Sequence, residues 1–240
     1  MTPPTSFFLP SRVDIHEGLS SSSNPLLITS ESAAELITFS ITFARQFPQN
    51  GRVVLITTQE RAVFLSSLNS TLFTSTSSPL ASASMILASD TVTLYLVETL
   101  AHLRVLLSSL QHAKVAFLGI DSFIFLHEGA SELSAQGISR TLAAMVNVTA
   151  PSKGILVLRE PREWVDRTVP ILNSGLGGAS LSSTTISVTR VLGRWVRGFW
   201  HQDMSGEGNC SADWTCCGEK WRVEWNVQDG EIDDVQILKD

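Results

Sequence analysis

The sequence lacks the features that would place it in a membrane or send it out of the cell. Its most apolar stretch, residues 115–126, is interrupted by Asp121, whereas a membrane-spanning helix needs about 18 or more consecutive apolar residues. The first ten residues, MTPPTSFFLP, contain no basic region and no long apolar stretch, so they do not resemble a signal peptide. We therefore expect a soluble intracellular protein, of the cytoplasm or nucleus, that makes no membrane contact.

Cysteine is also scarce, and the few cysteines lie close together. Cys210, Cys216 and Cys217 fall in one polar stretch without the paired C-x-x-C spacing of common zinc sites. His201 would be the fourth ligand of such a site. The spacing favours an exposed loop with reduced thiols over a zinc centre, and we expect no metal there.

Basic residues are too few for a protein that coats nucleic acid. The formal net charge is −6, with 17 Lys and Arg against 23 Asp and Glu. This balance argues against nucleic-acid binding over the whole surface, although it permits a local basic strip. With 240 residues, 43% of them hydrophobic, the chain is long enough to bury the core of one α/β domain.

What the sequence does contain is an alternation of strands and amphipathic helices. Buried-type strands are predicted at Pro25–Thr29, Arg52–Thr57, Ser84–Ala88, Val115–Ile120 and Gly154–Leu158. Helices are predicted between them over about 36–47, along the leucine repeat Leu96–Leu110, and over Ala135–Val148. The alternation predicts an α/β fold, a mostly parallel sheet with helices on both faces. Residues 1–24, rich in Pro and Ser, are predicted to form an N-terminal arm, and residues 25–240 a single core domain.

Beyond Pro161 the pattern changes. A glycine-rich loop is followed by predicted strands near Thr185–Leu192, Trp195–His201, Trp221–Val227 and Asp234–Leu238. Because no helices separate these strands, they are expected to form C-terminal antiparallel hairpins that extend one edge of the sheet.

The turn after the first strand lacks the residues that bind phosphate. It reads Ser30-Glu31-Ser32-Ala33-Ala34-Glu35, with no Gly and no Lys, whereas a phosphate-binding loop reads G-x-x-x-x-G-K-[ST]. Ser32 and Glu35 match a capping box, in which both side chains bond to free N–H groups at the start of a helix. We therefore expect an occupied helix N-terminus and two carboxylates that would repel a triphosphate.

Several segments, taken in order, resemble the eukaryotic RecA-like recombinases and particularly their divergent paralogues. Val115–Ser122 is similar to the Walker B strand of that family, which ends in Asp-Ser. Leu176-Gly177-Gly178-Ala179, leading into Thr184–Arg190, resembles its Gly-Gly element and Thr-rich strand. Val223–Gly230 resembles its closing strand and Asp-Gly turn. The resemblance covers most of residues 25–238 and implies a RecA-like core.

The departures from that family concern catalysis. Besides the missing phosphate loop, Gln59 stands where the resemblance places the catalytic Glu, with Glu60 one position later. A Gln cannot act as the general base that activates water. Asp121 and Ser122 are then a relic of the Walker B motif, more consistent with a strand-end turn than with a magnesium ligand. The resemblance implies a degenerate ATPase core without a cofactor.

The ATPase-less paralogues of this family bind related subunits, and the Shu complex of fungi is the nearest analogy. By that resemblance we expect a nuclear, non-catalytic subunit of a heterodimer or larger complex. It would promote assembly of the recombinase filament on single-stranded DNA in homologous recombination and DNA repair. Three alternatives remain: a RecA-like subunit of the Elongator accessory subcomplex that acts in tRNA modification, a divergent NTPase, and, least favoured, a small-molecule α/β enzyme.

Candidate contacts to nucleic acid combine arginines with tryptophans, which can neutralise phosphates and stack on bases. The candidates are Arg190, Arg194, Arg197, Trp195 and Trp200, with Arg162 and Arg167 in a loop that resembles the DNA-contacting loop of the family. If the first five lie on strands, period two divides the arginines between both faces of the sheet. Edge strands with solvated arginines over a partly buried tryptophan cluster are the alternative.

The N-terminal arm offers a candidate partner-binding element. Phe7 and Phe8 are adjacent aromatic residues, a type that commonly anchors protein interfaces. The resemblance implies insertion of one of them into a neighbouring subunit. Packing of the arm onto its own core is the alternative.

Overall fold

The computed structural model describes residues 25–30, 33–47, 50–66, 83–172, 184–196, 198–204, 209–216, 219–228 and 231–239. Within these residues the strands are β1 (Leu26–Thr29), β2 (Arg52–Thr57), β3 (Val92–Leu96), β4 (Val115–Asp121), β5 (Ile155–Glu160), β6 (Thr168–Pro170), β7 (Thr185–Ser187), β8 (Gly198–Met204), β9 (Asn209–Cys216), β10 (Glu219–Gln228) and β11 (Glu231–Lys239).

The described helices lie between β1 and β8 along the chain. They are α1 (Ala34–Gln46), α2 (61–66), α3 (Ala83–Ser89), α4 (Leu100–Leu110), α5 (Phe123–Gly129), α6 (Ala135–Thr149), α7 (Arg162–Val165) and α8 (Val188–Leu192). A 3₁₀ turn, Ala150–Ser152, follows α6. None of the helices in the described ranges is both long and apolar enough to cross a membrane.

A nine-stranded sheet forms the centre of the molecule, in the order β11-β10-β9-β8-β1-β5-β4-β2-β3. The six strands from β8 to β3 are parallel to one another. The sheet continues beyond β8 with β9, β10 and β11, each antiparallel to the strand before it. A separate antiparallel pair joins β6 to β7. The predicted α/β class, with a mostly parallel sheet and C-terminal hairpins, is confirmed.

Helices cover both faces of the sheet, as the alternation predicted. On one face α1 and α3 pack over β2 and β4, with Phe39, Phe43 and Phe117 in the buried cluster. On the other face α4, α5 and α6 bury a larger cluster. Every residue of β4 is buried, which explains why its sequence is continuously apolar rather than alternating.

The predicted strand Ser84–Ala88 is wrong, because this segment lies in α3. Periodicity cannot distinguish a short buried strand from a helix segment of the same length. The strand lies a few residues later, at β3, where β-branched and aromatic residues favour extended backbone. Leu96 therefore ends β3 rather than beginning the leucine-rich helix, and its side chain is 43% exposed.

Two predictions beyond Pro161 also need correction. Thr185–Leu192 is not one strand, because Ser187 ends β7 and caps α8 by accepting a hydrogen bond from the N–H of Arg190. The polar stretch with the cysteines is not a loop, since Cys210 and Cys216 lie in β9. The extended strand separates the Cα atoms of those two residues by about 20 Å, too far for both thiolates to bind one zinc ion. Cys217 lies outside the described residues.

Candidate functional site

The carboxyl ends of the parallel strands are where such folds bind ligands. At the end of β1, Ser30 donates its backbone N–H to the carbonyl of Glu160, 3.3 Å away. The N-cap of α1 is Ala33, whose side chain makes no cap hydrogen bond, and the predicted capping-box side chains of Ser32 and Glu35 lie outside the described residues. Ala33 is fully buried and has no side-chain oxygen to offer. Glu31, Ser32 and the side chains of Ala34 and Glu35 lie outside the described part of the chain.

A buried polar cluster lies at the ends of β2, β4 and β5. The strand register places Thr57 beside Asp121 and Asp121 beside Arg159. Arg159 donates through Nη1 to Asp121 Oδ1 at 2.9 Å, and the Thr57 hydroxyl donates to Asp121 Oδ2 at 2.7 Å. Ser122 Oγ donates to Asp121 Oδ1 at 3.1 Å and accepts from Arg159 Nη1 at 3.0 Å. We call these four residues the Asp121 cluster.

The Asp121 cluster does not fit a magnesium ion. Asp121 and Arg159 are 0% and 1% exposed, so the guanidinium is the cation that neutralises this carboxylate in the interior. Magnesium requires nearly octahedral oxygen ligands at about 2.0–2.1 Å and usually keeps several waters. To reach Asp121, an ion and its waters would have to displace a buried, hydrogen-bonded arginine. The expectation that Asp121 and Ser122 form a strand-end turn agrees with this geometry.

Ser122 holds the turn that closes the cluster. Its φ of 58° lies in the left-handed region, which is uncommon for residues other than glycine. Its N–H donates to the carbonyl of Arg159 at 2.8 Å, and the Thr58 hydroxyl donates to the carbonyl of Ser122 at 3.0 Å. These bonds join the ends of three strands through both side chains and backbone.

Glu160, directly after Arg159, is a second buried carboxyl group. Its Oε1 accepts a hydrogen bond from the N–H of Ile124 at 3.2 Å, whereas Oε2 is buried without a partner. Burial, together with repulsion from Asp121, raises the pKa of Glu160 well above its ordinary value of 4.5. The N–H groups of Ile124 and Phe123 and the charge of Arg159 act in the opposite direction but are outweighed. The neutral, protonated carboxyl group is therefore favoured in the folded protein.

Gln59 lies beside the Asp121 cluster, at the bend after β2. Its N–H donates to the Thr57 hydroxyl at 3.2 Å, and its side-chain oxygen is buried without a hydrogen-bond partner. Glu60, the next residue, is exposed. Gln59 thus contacts the cluster through its backbone N–H.

Sequence reasoning placed Asp121 at this site but missed Arg159 and Glu160. Their signal was present, since two charged residues end the otherwise apolar run ILVLRE of β5. Charged side chains are almost never fully buried unless they are paired. The pairing became visible only when the register brought Arg159 beside Asp121.

Four of the candidate arginines belong to one small unit, which α7, β6, β7, α8 and the turn after α8 form. In chain order α7 leads into β6, β6 pairs with β7, and β7 leads into α8. The Thr189 hydroxyl donates to the carbonyl of Val165 at 2.9 Å, and the N–H of Val188 donates to the carbonyl of Arg167 at 2.8 Å. We call this the arginine unit, and its candidate residues are Arg162, Arg167, Arg190 and Arg194.

The charges of the arginine unit are only partly neutralised. Arg162 lies 3.5 Å from Asp166 in an exposed pair, and Arg167 lies 3.2 Å from Glu128. Arg167 also stacks over the ring of Trp164 at 3.7 Å. Arg190 and Arg194 are exposed and form no ion pair with any described acidic residue. Two cations on this surface therefore remain available for an anionic partner.

Of the other candidates, the structure describes the side chain of Trp195 alone. The prediction that period two divides the arginines is wrong, because Arg190 is on a helix and Arg194 is in the following turn. Trp195 is partly buried and packs against the larger core cluster. Trp200 lies in β8 at the register position between Ile28 and Trp214, and nothing is described of its side chain. Arg197, Phe7 and Phe8 lie outside the described residues.

Among the described residues, no group of three or more His, Cys, Asp or Glu side chains is arranged to hold a metal ion. The two acidic groups nearest the strand ends, Asp121 and Glu160, are engaged by Arg159 and by the N–H of Ile124.

Comparison with known proteins agrees with the architecture. A family model described as SPAC22G7.03-like matches residues 23–240, and no curated protein matches the sequence. A solved RadB recombinase is similar in structure, with a TM-score of 0.58 and 11% identity over 89% of this chain and 91% of that chain. A second solved structure, of an ATPase domain, has a TM-score of 0.53 and 12% identity over 89% of this chain and 85% of its own. These likenesses show that the fold is RecA-like.

We predict that breaking the buried ion pair destabilises the protein strongly. Asp121→Asn or Arg159→Met should each lower the free energy of unfolding by about 3–5 kcal/mol, because one charge remains buried without its partner. The double variant should lose less than the sum of the two. Urea denaturation measures all three.

The control for this cycle is the exposed pair Arg162–Asp166. Arg162→Gln or Asp166→Asn should change stability by less than about 1 kcal/mol, since solvent screens that pair. Equal losses at the exposed and buried pairs would contradict the role assigned to the Asp121 cluster.

A second prediction concerns pH. Because the pKa of Glu160 is raised on folding, its contribution to stability is fully present below its ordinary pKa and is lost as pH rises through the folded-state pKa. Glu160→Gln retains a neutral side chain and should remove this loss. Relative to the variant, the natural protein should lose stability as pH rises above the ordinary carboxyl pKa of 4.5. The exposed Glu163→Gln variant is the control and should follow the natural protein.

Proposed function

The chain belongs to the SPAC22G7.03-like family, and we propose that it acts as a non-catalytic RecA-like subunit in homologous recombination and DNA repair. In this proposal it binds a related RecA-like subunit as a heterodimer or larger complex in the nucleus. The complex contacts single-stranded DNA and helps the recombinase filament to assemble. The RecA-like core and its structural likeness to a RadB recombinase support this direction.

The observation that carries the proposal is the buried bond between Arg159 and Asp121. In a RecA-like ATPase a carboxylate at this strand end would help to hold magnesium. Here the guanidinium of Arg159 neutralises the Asp121 carboxylate and donates a hydrogen bond to its Oδ1. Where the resemblance places the catalytic Glu, Gln59 carries an amide rather than a carboxylate, and its backbone N–H bonds to Thr57. A neutral Glu160 cannot supply the missing negative charge. These three features support a core that serves as a scaffold rather than as an ATPase.

The arginine unit supports the DNA-binding part of the proposal. Arg190 and Arg194 form no ion pair with the described acidic residues, and guanidinium groups bind phosphate oxygens with parallel hydrogen bonds. Phe125, 49% exposed, meets the edge of Trp164 at a centroid distance of 5.8 Å. An exposed aromatic ring beside cations is a combination that suits unpaired bases. The surface is small, which is consistent with shared binding by a complex.

The test of the non-catalytic assignment is ATP turnover by the purified chain. We expect no magnesium-dependent hydrolysis above a buffer control, because Asp121 is bound by Arg159. Turnover that disappears in Asp121→Ala, with the variant still folded by circular dichroism, would instead identify a divergent NTPase.

The test of the nucleic-acid surface is the double variant Arg190→Gln/Arg194→Gln, in the complex copurified from cells. Its affinity for single-stranded DNA should fall, and the slope of log affinity against log salt should decrease by about 1.4, roughly 0.7 for each lost phosphate contact. Arg52→Gln, at the amino end of β2, is the matched control and should leave both unchanged.

Two results would count against this role. If the slope of log affinity against log salt is unchanged in the double variant, the arginine unit does not bind DNA. A preference of the complex for tRNA over single-stranded DNA would favour the Elongator-type function.

A further inference from the structure

A cavity of about 600 Å³ lies between α4, α6 and the end of β6. Because α6 carries the chain back from the carboxyl end of β4 to the start of β5, its N-terminus lies at the carboxyl edge of the sheet. Gln136, on α6, donates to the carbonyl of Leu172 at 2.9 Å and accepts from the N–H of Leu172 at 3.0 Å. These two bonds fix the wall that carries Leu172. The volume is in the range of small-molecule sites.

Two arginines give the cavity a positive balance. Arg104 and Arg140 both line it, and Glu132 is the one acidic residue of the lining. Both Oε atoms of Glu132 accept hydrogen bonds from the two terminal nitrogens of Arg104. This bond lowers the pKa of Glu132, so its carboxylate remains charged. Arg140 forms no ion pair with any described residue, and the lining therefore has one cation in excess.

Thr141 supplies an independent sign of a missing ligand. It lines the cavity and is 2% exposed, and its hydroxyl has no hydrogen-bond partner. A buried hydroxyl without a partner costs free energy that a bound acceptor would recover. Ser134 and Gly137 bring the N-terminal end of α6, a helix of 15 residues, to the lining, and such an end favours anions. Ser134 caps that end by accepting from the N–H of Gly137 at 3.0 Å, so the ligand need not replace the cap.

We propose that this cavity binds a phosphomonoester group. Arg140 supplies the unpaired charge, Arg104 supplies its remaining N–H groups, and the Thr141 hydroxyl donates to a phosphate oxygen. Apolar contacts from Leu133, Ala144 and Pro170 accommodate the rest of the ligand. Glu132 orients Arg104 and at the same time weakens binding by repulsion. The phosphate can come from a free nucleotide or from the phosphorylated end of a nucleic-acid strand.

Isothermal titration calorimetry on the full chain separates these sources. The probes are inorganic phosphate, a nucleoside monophosphate, a terminally phosphorylated oligodeoxynucleotide, and the same strand with a free terminal hydroxyl. Binding of the first two identifies a free phosphate ligand. If the phosphorylated strand is the only phosphate probe that binds, and it binds more tightly than its hydroxyl form, the ligand is a strand end. Absence of binding by all three phosphate probes overturns the proposal.

Variants locate the binding in this cavity. Arg140→Gln should weaken binding by roughly tenfold or more, the usual cost of a charged hydrogen bond. Glu132→Gln should strengthen it, because repulsion is removed. Thr141→Val should weaken binding several-fold while leaving the unfolding temperature unchanged or higher, since no hydrogen bond in the unliganded protein is lost. Arg52→Gln, which removes one distant positive charge, should have no effect.

Unchanged affinity of Arg140→Gln and Thr141→Val for the phosphate probes would place the phosphate elsewhere and overturn the proposal. Weaker binding by Glu132→Gln would also overturn it. The inference goes beyond the proposed role in recombination, and the two can fail separately. DNA binding by the arginine unit needs no terminal phosphate and should survive Arg140→Gln.

Discussion

The bond between Arg159 and Asp121 fixes the carboxyl edge of the sheet. Both groups are buried, and removing each from water costs several kcal/mol. That cost is offset because Asp121 accepts three hydrogen bonds, from Thr57 at the end of β2, Ser122 after β4 and Arg159 in β5. The left-handed Ser122 is held in the same network. The pair thus determines how β2, β4 and β5 end, and with them the position of α5.

Because one buried cation is present for two carboxyl groups, the charge balance also explains why the neutral form of Glu160 is favoured. The pair Arg159–Asp121 is electrically neutral, so a second ionised carboxylate in the same interior would have no counterion. Protonation of Glu160 avoids this charge, which is why its pKa is raised. The charged groups described at this strand end are Arg159 and Asp121, which neutralise each other, and Glu160, whose neutral form is favoured. The RecA-like architecture thus carries, at the end of β4, a carboxylate that is paired with a buried arginine.

Much of the fold could be predicted from local sequence patterns, whereas the site depends on how the strands pair. The buried strand Val115–Asp121 and the leucines of α4 were predictable because hydrophobic period and length agree with the observed elements. Ser84–Ala88 was not, since a short, mostly apolar segment fits a helix or a strand equally. Asp121 could be identified from its place at a strand end. Arg159, 38 residues later, could not be assigned to it, because no local pattern gives the pairing of β4 with β5.

The arginine unit explains why a partner would be needed for nucleic-acid binding. The chain has a net charge of −6, which repels a polyanion at distances up to the Debye length of about 8–10 Å. Two of the four arginines are paired with Asp166 and Glu128, leaving Arg190 and Arg194 to release counterions. Two phosphate contacts contribute little at physiological salt, since affinity grows with the number neutralised. In the proposed role, useful affinity therefore requires further cations, which the proposed partner subunit supplies.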